Sequence, residues 1–198
     1  MRLVLASQSP SRASILRGAG VEPVLAPAHV DERAIEDSLS ARNASAEEIV
    51  NALAQAKARA VAADFPDDVV VGGDSMLLLE GHLQGKPHTV AATIERWRAQ
   101  AGKTAELITG HCVIAGGTEY VEASRTTVHF AAASEEDITA YAHSGEPLEC
   151  AGAFTLEAMG GWFIDRIEGD PSSVIGLSLP VLRRALYSFG LSVSQFWG

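Results

Sequence analysis

Residues 3–12, Leu-Val-Leu-Ala-Ser-Gln-Ser-Pro-Ser-Arg, constrain the fold more than any other stretch. Leu3, Val4 and Leu5 form an apolar run of strand length. Ser9 is a good helix N-cap, and Pro10 suits the first helical position, where no backbone N–H is needed. A strand that ends where a helix begins opens a βα unit. Serine hydroxyls and Arg12 sit at that junction. A helix N-terminus offers free N–H groups and partial positive charge, which favour phosphate above other ligands. The Arg12 guanidinium adds a forked donor matched to phosphate oxygens. The same residues also suit an ordinary capped helix without a ligand, so this segment alone leaves both readings open.

The rest of the chain continues the alternation. A strand is expected over 2–7 and a helix over 10–18. The polar stretch 23–44 reads as loop, with one or two helical turns at 33–39. Ser45 and Glu48 make a capping box for a helix through Ala63. Val69-Val70-Val71 reads as a buried strand ending at Gly72-Gly73-Asp74, with residues 76–79 extended beyond it. Helices are expected over 89–100, from Ser134 to His143, and from Pro180 to Phe189. Strands 105–115 and 119–131 flank Gly116-Gly117 as a hairpin, and 162–168 reads as another strand. Alternating strands and helices make the fold class α/β, and the hairpin makes the sheet mixed.

A chain of 198 residues, 47% of them apolar, is long enough for a substantial core in one domain or two small lobes. The formal charge of −10 argues against broad binding to nucleic acid or an anionic membrane. A small polyanion would bind only where basic residues converge. Cys112 and Cys150 give neither a disulfide framework nor a zinc pattern, which suits a reducing cytoplasm. The N-terminal apolar run is too short for a signal peptide, and no stretch has transmembrane length. The histidines lack metal-ligand spacing, and no Gly-x-Ser-x-Gly elbow occurs. Trp97 and Trp162 read as packing residues.

Four charged positions stand where chemistry would use them. Asp74 follows an apolar strand, and ligands of α/β sheets bind beyond the carboxyl ends of strands. A carboxylate there can hold a hard cation or orient a water, and it can equally begin a turn. Glu32 sits in a loop beside Asp31 and says little alone. Lys57 lies on the same helical stripe as Val50, Leu53 and Val61, so it either snorkels to the surface or faces a partner; snorkelling is the commoner outcome. Lys86 lies in Gly85-Lys86-Pro87, which is not a P-loop.

Together these segments resemble the Maf-type nucleoside triphosphate pyrophosphatases, relatives of the inosine triphosphate pyrophosphatase superfamily. The resemblance runs through Leu5-Ala-Ser-Gln-Ser-Pro-Ser-Arg12, Val30-Asp-Glu32, Ala56-Lys57-Ala58, Val71-Gly-Gly-Asp74-Ser75, Gly85-Lys86-Pro87 and Thr109-Gly110. It continues through Gly145-Glu-Pro-Leu148, Ala151-Gly-Ala-Phe154, Ile167-Glu-Gly-Asp170 and Val174-Ile-Gly-Leu177. The last segments look most like actinobacterial members. The resemblance implies a single domain over 1–198, with an elongated mixed sheet, flanking helices and two lobes around a deep cleft. It implies hydrolysis of a nucleoside triphosphate between the α- and β-phosphorus, giving a nucleoside monophosphate and pyrophosphate. Asp74 would be the catalytic proton acceptor, and Glu32 with Asp74 would hold a divalent metal, Mg²⁺ or Mn²⁺. Ser7, Arg12, Lys57 and Lys86 would bind phosphate, and Ser11 and Glu157 the base. The implied partner is a nucleoside triphosphate, with no membrane and no nucleic acid; a homodimer is left open. A house-cleaning role against non-standard nucleotides in the cytoplasm fits. A regulator of cell division that binds nucleotide without turnover, or a generic α/β phosphatase, are the alternatives.

Two positions depart from the family pattern. Ser11 stands where many relatives carry arginine or tryptophan. Glu157 stands where the pyrimidine-preferring branch has glutamine, whereas the branch preferring 7-methyl-GTP has glutamate, and Cys150-Ala-Gly152 resembles that second branch.

Overall fold

A computed structural model describes residues 1–198. Its strands are β1 (Leu3–Leu5), β2 (Val24–Leu25), β3 (Val69–Leu79), β4 (His82–Gln84), β5 (Thr104–Ala115), β6 (Thr118–Phe130) and β7 (Ile164–Glu168). They form one seven-stranded sheet in the order β2–β1–β3–β5–β6–β7, with β4 paired to β3. β1 runs parallel to β2 and β3, whereas β4 is antiparallel to β3 and β7 to β6. The helices are α1 (Pro10–Gly18), α2 (Glu32–Ser40), α3 (Ala46–Ala62), α4 (Val90–Gln100), α5 (Glu135–His143), α6 (Pro171–Ile175) and α7 (Leu179–Ser188). The class is therefore α/β with a mixed sheet, as the alternation of elements requires.

The chain divides into two compact units. The first comprises Met1–Asp74, Thr109–Ser124 and Gly176–Gly198; the second comprises Ser75–Ile108 and Arg125–Ile175. In the first unit, β1 and β3 are apolar on both faces because helices cover both. Leu3, Leu5, Val69 and Val71 pack with Leu16, Leu182 and Leu186. Val4 and Val70 point the other way, onto Ala54, Ala58 and Val61 of α3. This is the two-residue period of a strand expressed as two separate cores.

The second unit is built around Trp97. Its fully buried indole meets Phe130, Tyr141 and Phe163 edge-on, at centroid distances of 5.5, 5.7 and 5.5 Å. The indole Nε1–H donates to the Ala153 carbonyl at 2.7 Å, so the ring buries no unpaired donor.

Local signals translate directly. Ser9 caps α1 by accepting from Arg12 N, with Pro10 at the first helical position. Both halves of the Ser45–Glu48 capping box form. Gly116 and Gly117 turn with φ of 55° and 78°, the left-handed pair that a tight hairpin requires. Three expectations are corrected. Residues 32–40, read as mostly loop, are helix α2; Asp31 caps it by accepting from Ala34 N. β3 does not end at Gly72-Gly73-Asp74 but runs through them, joined to the extended residues beyond, as one strand to Leu79. Trp162, expected to pack, is 86% exposed.

Candidate functional site

The period of β3 decides where Asp74 points. Val70, Gly72 and Asp74 share the face toward α3. A Cβ on Gly72 would lie 2.3 Å from the Ala54 carbonyl oxygen and 2.8 Å from Ala58 N, so glycine is what lets α3 lie directly on the strand. Lys57, between those two alanines in sequence, therefore arrives beside Asp74. Its Nζ donates to Asp74 Oδ1 at 2.7 Å and to Glu32 Oε2 at 2.9 Å. Lys57 and Asp74 are only 8% and 9% exposed. The snorkelling expected on base rates does not occur, because two carboxylates await the ammonium inside.

The opposite face of β3 holds Arg12. A Cβ on Gly73 would lie 3.4 Å from Arg12 Nε, so this second glycine makes room for the guanidinium. Arg12 Nε donates to the Gly176 carbonyl at 2.7 Å, and Nη1 donates to Ser7 Oγ at 3.1 Å. Burial pushes the guanidinium's pKa down, while the charges of Asp74 and Glu32 pull it up. Ser7 Oγ also accepts from Ser9 N at 3.2 Å. Ser11 is half-buried on the first turn of α1.

Glu36 is the residue that sequence reasoning missed. It follows Glu32 by one helical turn, so both carboxylates lie on one face of α2. Burial raises its pKa, and the charges of Asp74 and Glu32 raise it further. The spacing of the two glutamates was a usable signal, hidden because the segment reads as loop. Glu32 and Asp74 thus act on the charges of both Arg12 and Glu36, and Lys57 acts on Glu36 as well. That excess of hard oxygen donors fits Mg²⁺ or Mn²⁺ in kind. No three His, Cys, Asp or Glu side chains are arranged to hold a metal unaided. Mg²⁺ suits such a place, since it binds through one or two carboxylates and takes waters and substrate phosphates as further ligands.

Lys86 and Glu157 belong to the second unit. Lys86 is exposed and pairs with Glu149 at 3.5 Å. Glu157 is exposed, and its Oε2 accepts from Leu156 N at 3.1 Å. The loop carrying Glu157 is pinned from both sides by Glu146. That carboxylate accepts from the hydroxyls of Thr155 and Tyr141 and from the backbone N–H of Met159 and Gly160. Burial pulls the Glu146 pKa up, but these hydrogen bonds outweigh it and hold the group below the usual range. A depressed folded-state pKa gives stability that is present above the unfolded value and lost as pH falls through the folded value. Glu146→Gln is therefore expected to cost about 1–2 kcal/mol at pH 7 and close to nothing once the wild-type carboxyl is protonated. Urea melts of both proteins at pH 7 and at successively lower pH check this: the gap between them should close as pH falls through the depressed folded-state value.

The cysteines are free thiols without a nucleophile's environment. Burial pushes Cys112 up to about 12 and Cys150 up to about 11. Both are protonated at neutral pH, and a thiol is a poor nucleophile.

A family model described as "Maf-like protein" matches residues 2–189. The chain is 79% identical over 197 residues to a nucleoside triphosphate pyrophosphatase of Corynebacterium aurimucosum, covering 100% of this chain and 98% of the relative. It is 56% identical over 204 residues to a Nocardia farcinica protein of the same name, covering 98% of this chain and 96% of the relative. A Rhodococcus erythropolis protein, also so named, is 51% identical over 206 residues, covering 99% and 96%.

Proposed function

Because the chain belongs to the Maf-like protein family, we propose that it hydrolyses a nucleoside triphosphate between the α- and β-phosphorus. The products are a nucleoside monophosphate and pyrophosphate. We read residues 1–198 as one Maf-like domain acting in the cytoplasm; no helix is long and apolar enough to cross a membrane. Removal of non-standard nucleotides is the role that such a reaction fits.

The observation that carries this reading is Lys57 held between Asp74 and Glu32. Lys57 engages Asp74 Oδ1, so Oδ2 is the oxygen that orients a water and takes its proton. The water oxygen bonds to the α-phosphorus. The bond to the bridging oxygen breaks, and its electron pair leaves with pyrophosphate. An ammonium has three donors, and the two carboxylates use two of them. The third is directed to phosphate oxygen, where Lys57 stabilises the charge that grows as the bond breaks. Ser7 and Arg12 bind phosphate at the start of α1. Glu32 and Asp74 would hold a divalent cation, Mg²⁺ or Mn²⁺, which when bound supplies charge neutralisation along the polyphosphate.

Roles for Lys86 toward phosphate, and for Ser11 and Glu157 toward the base, rest on the family resemblance. An ionised Glu157 only accepts hydrogen bonds, so it suits the N1–H and N2–H₂ edge of a guanine-type base. Wild type is expected to use GTP or 7-methyl-GTP better than dTTP. Glu157→Gln is expected to shift kcat/KM toward UTP and dTTP by about tenfold or more, because the glutamine amide adds a donor for their carbonyl oxygens that an ionised carboxylate lacks. An unchanged ranking across these four nucleotides would remove Glu157 from base recognition.

The reaction class is tested by the products of purified protein with Mg²⁺ and a nucleoside triphosphate. Pyrophosphate in equal amount to nucleoside monophosphate, abolished by EDTA, is the expected result. Orthophosphate would make the protein a phosphatase, and tight binding without products would make it a nucleotide-binding regulator.

A further inference from the structure

His111 lies on β5 and is 1% exposed. Ser178 N donates to its Nε2 at 2.8 Å, and a backbone N–H only donates, so Nε2 carries no proton. Its Nδ1 therefore bears the hydrogen and donates to the Glu122 carbonyl at 3.2 Å. Both ring nitrogens are thus committed, one to β6 and one to the segment leading into α7.

That segment is the one on which Arg12 rests. The Gly176 carbonyl accepts from Arg12 Nε at 2.7 Å, and Ser178, two residues later, is the residue held by His111. Ser178 is also the N-cap of α7, accepting from Val181 N at 3.1 Å, and Leu177 between them is fully buried. Gly176 has φ of 125°, a conformation L side chains rarely adopt, so the strap is shaped for one path. With one residue between the two hydrogen-bonded positions, Ser178 cannot shift without moving the Gly176 carbonyl. The guanidinium would move with it.

We propose that His111 is a positioning residue for Arg12, acting through the Gly176–Ser178 strap to aim the guanidinium at a phosphate of the substrate. This rests on the reading that Arg12 binds polyphosphate. The imidazole does not touch substrate. It supplies an unprotonated ring nitrogen as a fixed acceptor for Ser178 N, two residues beyond Gly176.

The test uses the full chain with His111→Ala, His111→Gln, Arg12→Ala and the His111→Ala/Arg12→Ala pair. Two readouts are taken: steady-state kinetics with a nucleoside triphosphate, and calorimetric binding of inorganic tripolyphosphate. His111→Ala is expected to raise KM and the tripolyphosphate Kd by about tenfold, the scale of a small misplacement of a binding group, while kcat changes less. His111→Gln, whose side-chain carbonyl can accept from Ser178 N, is expected to restore most of that loss. In the Arg12→Ala background, His111→Ala is expected to add nothing, because one residue acts through the other. Melting temperatures are recorded throughout; if the alanine variant does not fold, His111→Asn replaces it. Equal losses in both Arg12 backgrounds, or a glutamine variant no better than alanine, would overturn the proposal. So would tripolyphosphate binding that is indifferent to Arg12. If wild type binds tripolyphosphate but yields no pyrophosphate from nucleotides, the proposed reaction fails while the Kd series still decides the role of His111.

Discussion

Asp74→Asn is expected to lower kcat for pyrophosphate release by about 10²-fold or more, the loss that follows removal of a base in proton transfer. Asparagine has nearly the same shape as aspartate, and its amide oxygen can still accept from Lys57 Nζ. β3 has no reason to change its path, because its alternation and the Gly72 approach to α3 remain. What disappears is the negative charge and the capacity to take a proton. The melting temperature should stay close to wild type while kcat collapses. A purified Asp74→Asn protein with wild-type kcat would show that Asp74 is not the proton acceptor.

The second large effect belongs to Lys57. Lys57→Met keeps the aliphatic stem on α3 and deletes the ammonium. Glu32 and Asp74 then lose their shared partner, as Asp74 is buried while Glu32 remains half open to water. Transition-state stabilisation is expected to fall by about 2–4 kcal/mol, or about 10²–10³ in kcat/KM. Stability also falls, since an unpaired carboxylate is left in a desolvated place. Mg²⁺ bound by those carboxylates should recover part of that stability without recovering the rate. Thermal melts with and without Mg²⁺ separate the two losses. A silent Lys57→Met variant, in rate and in melting temperature alike, would reduce the Glu32–Lys57–Asp74 ion triad to packing.

How much of this was legible in the sequence depended on distance along the chain. Ser9 with Pro10, and Ser45 with Glu48, act within one helical turn, so their caps can be read from adjacent residues. The hairpin glycines likewise act locally. Lys57 could be placed on the inward stripe of its helix, but its partners are 25 and 17 residues away. Base rates then favoured the surface, and the fold overruled them. Gly72-Gly73 read as the end of a strand because glycine weakens strands. Here both glycines stay in β3, one admitting the α3 backbone and the other the Arg12 side chain. The helix bearing Glu32 and Glu36 has no fully buried residue, and its apolar signal is one short pair, Ile35 and Leu39, a helical turn apart within a polar stretch. The sequence gives His111 no role, since nothing nearby along the chain reveals Ser178 N, 67 residues on, as its partner.

The central claim is that water activated beside Lys57 and Asp74 attacks the α-phosphorus. Hydrolysis in ¹⁸O-labelled water, followed by mass spectrometry of both products, tests it most directly. One ¹⁸O atom in the nucleoside monophosphate and none in the pyrophosphate is the expected result. Label in the pyrophosphate would mean attack at the β-phosphorus, and labelled orthophosphate would mean cleavage at the γ-phosphorus; either result would contradict it.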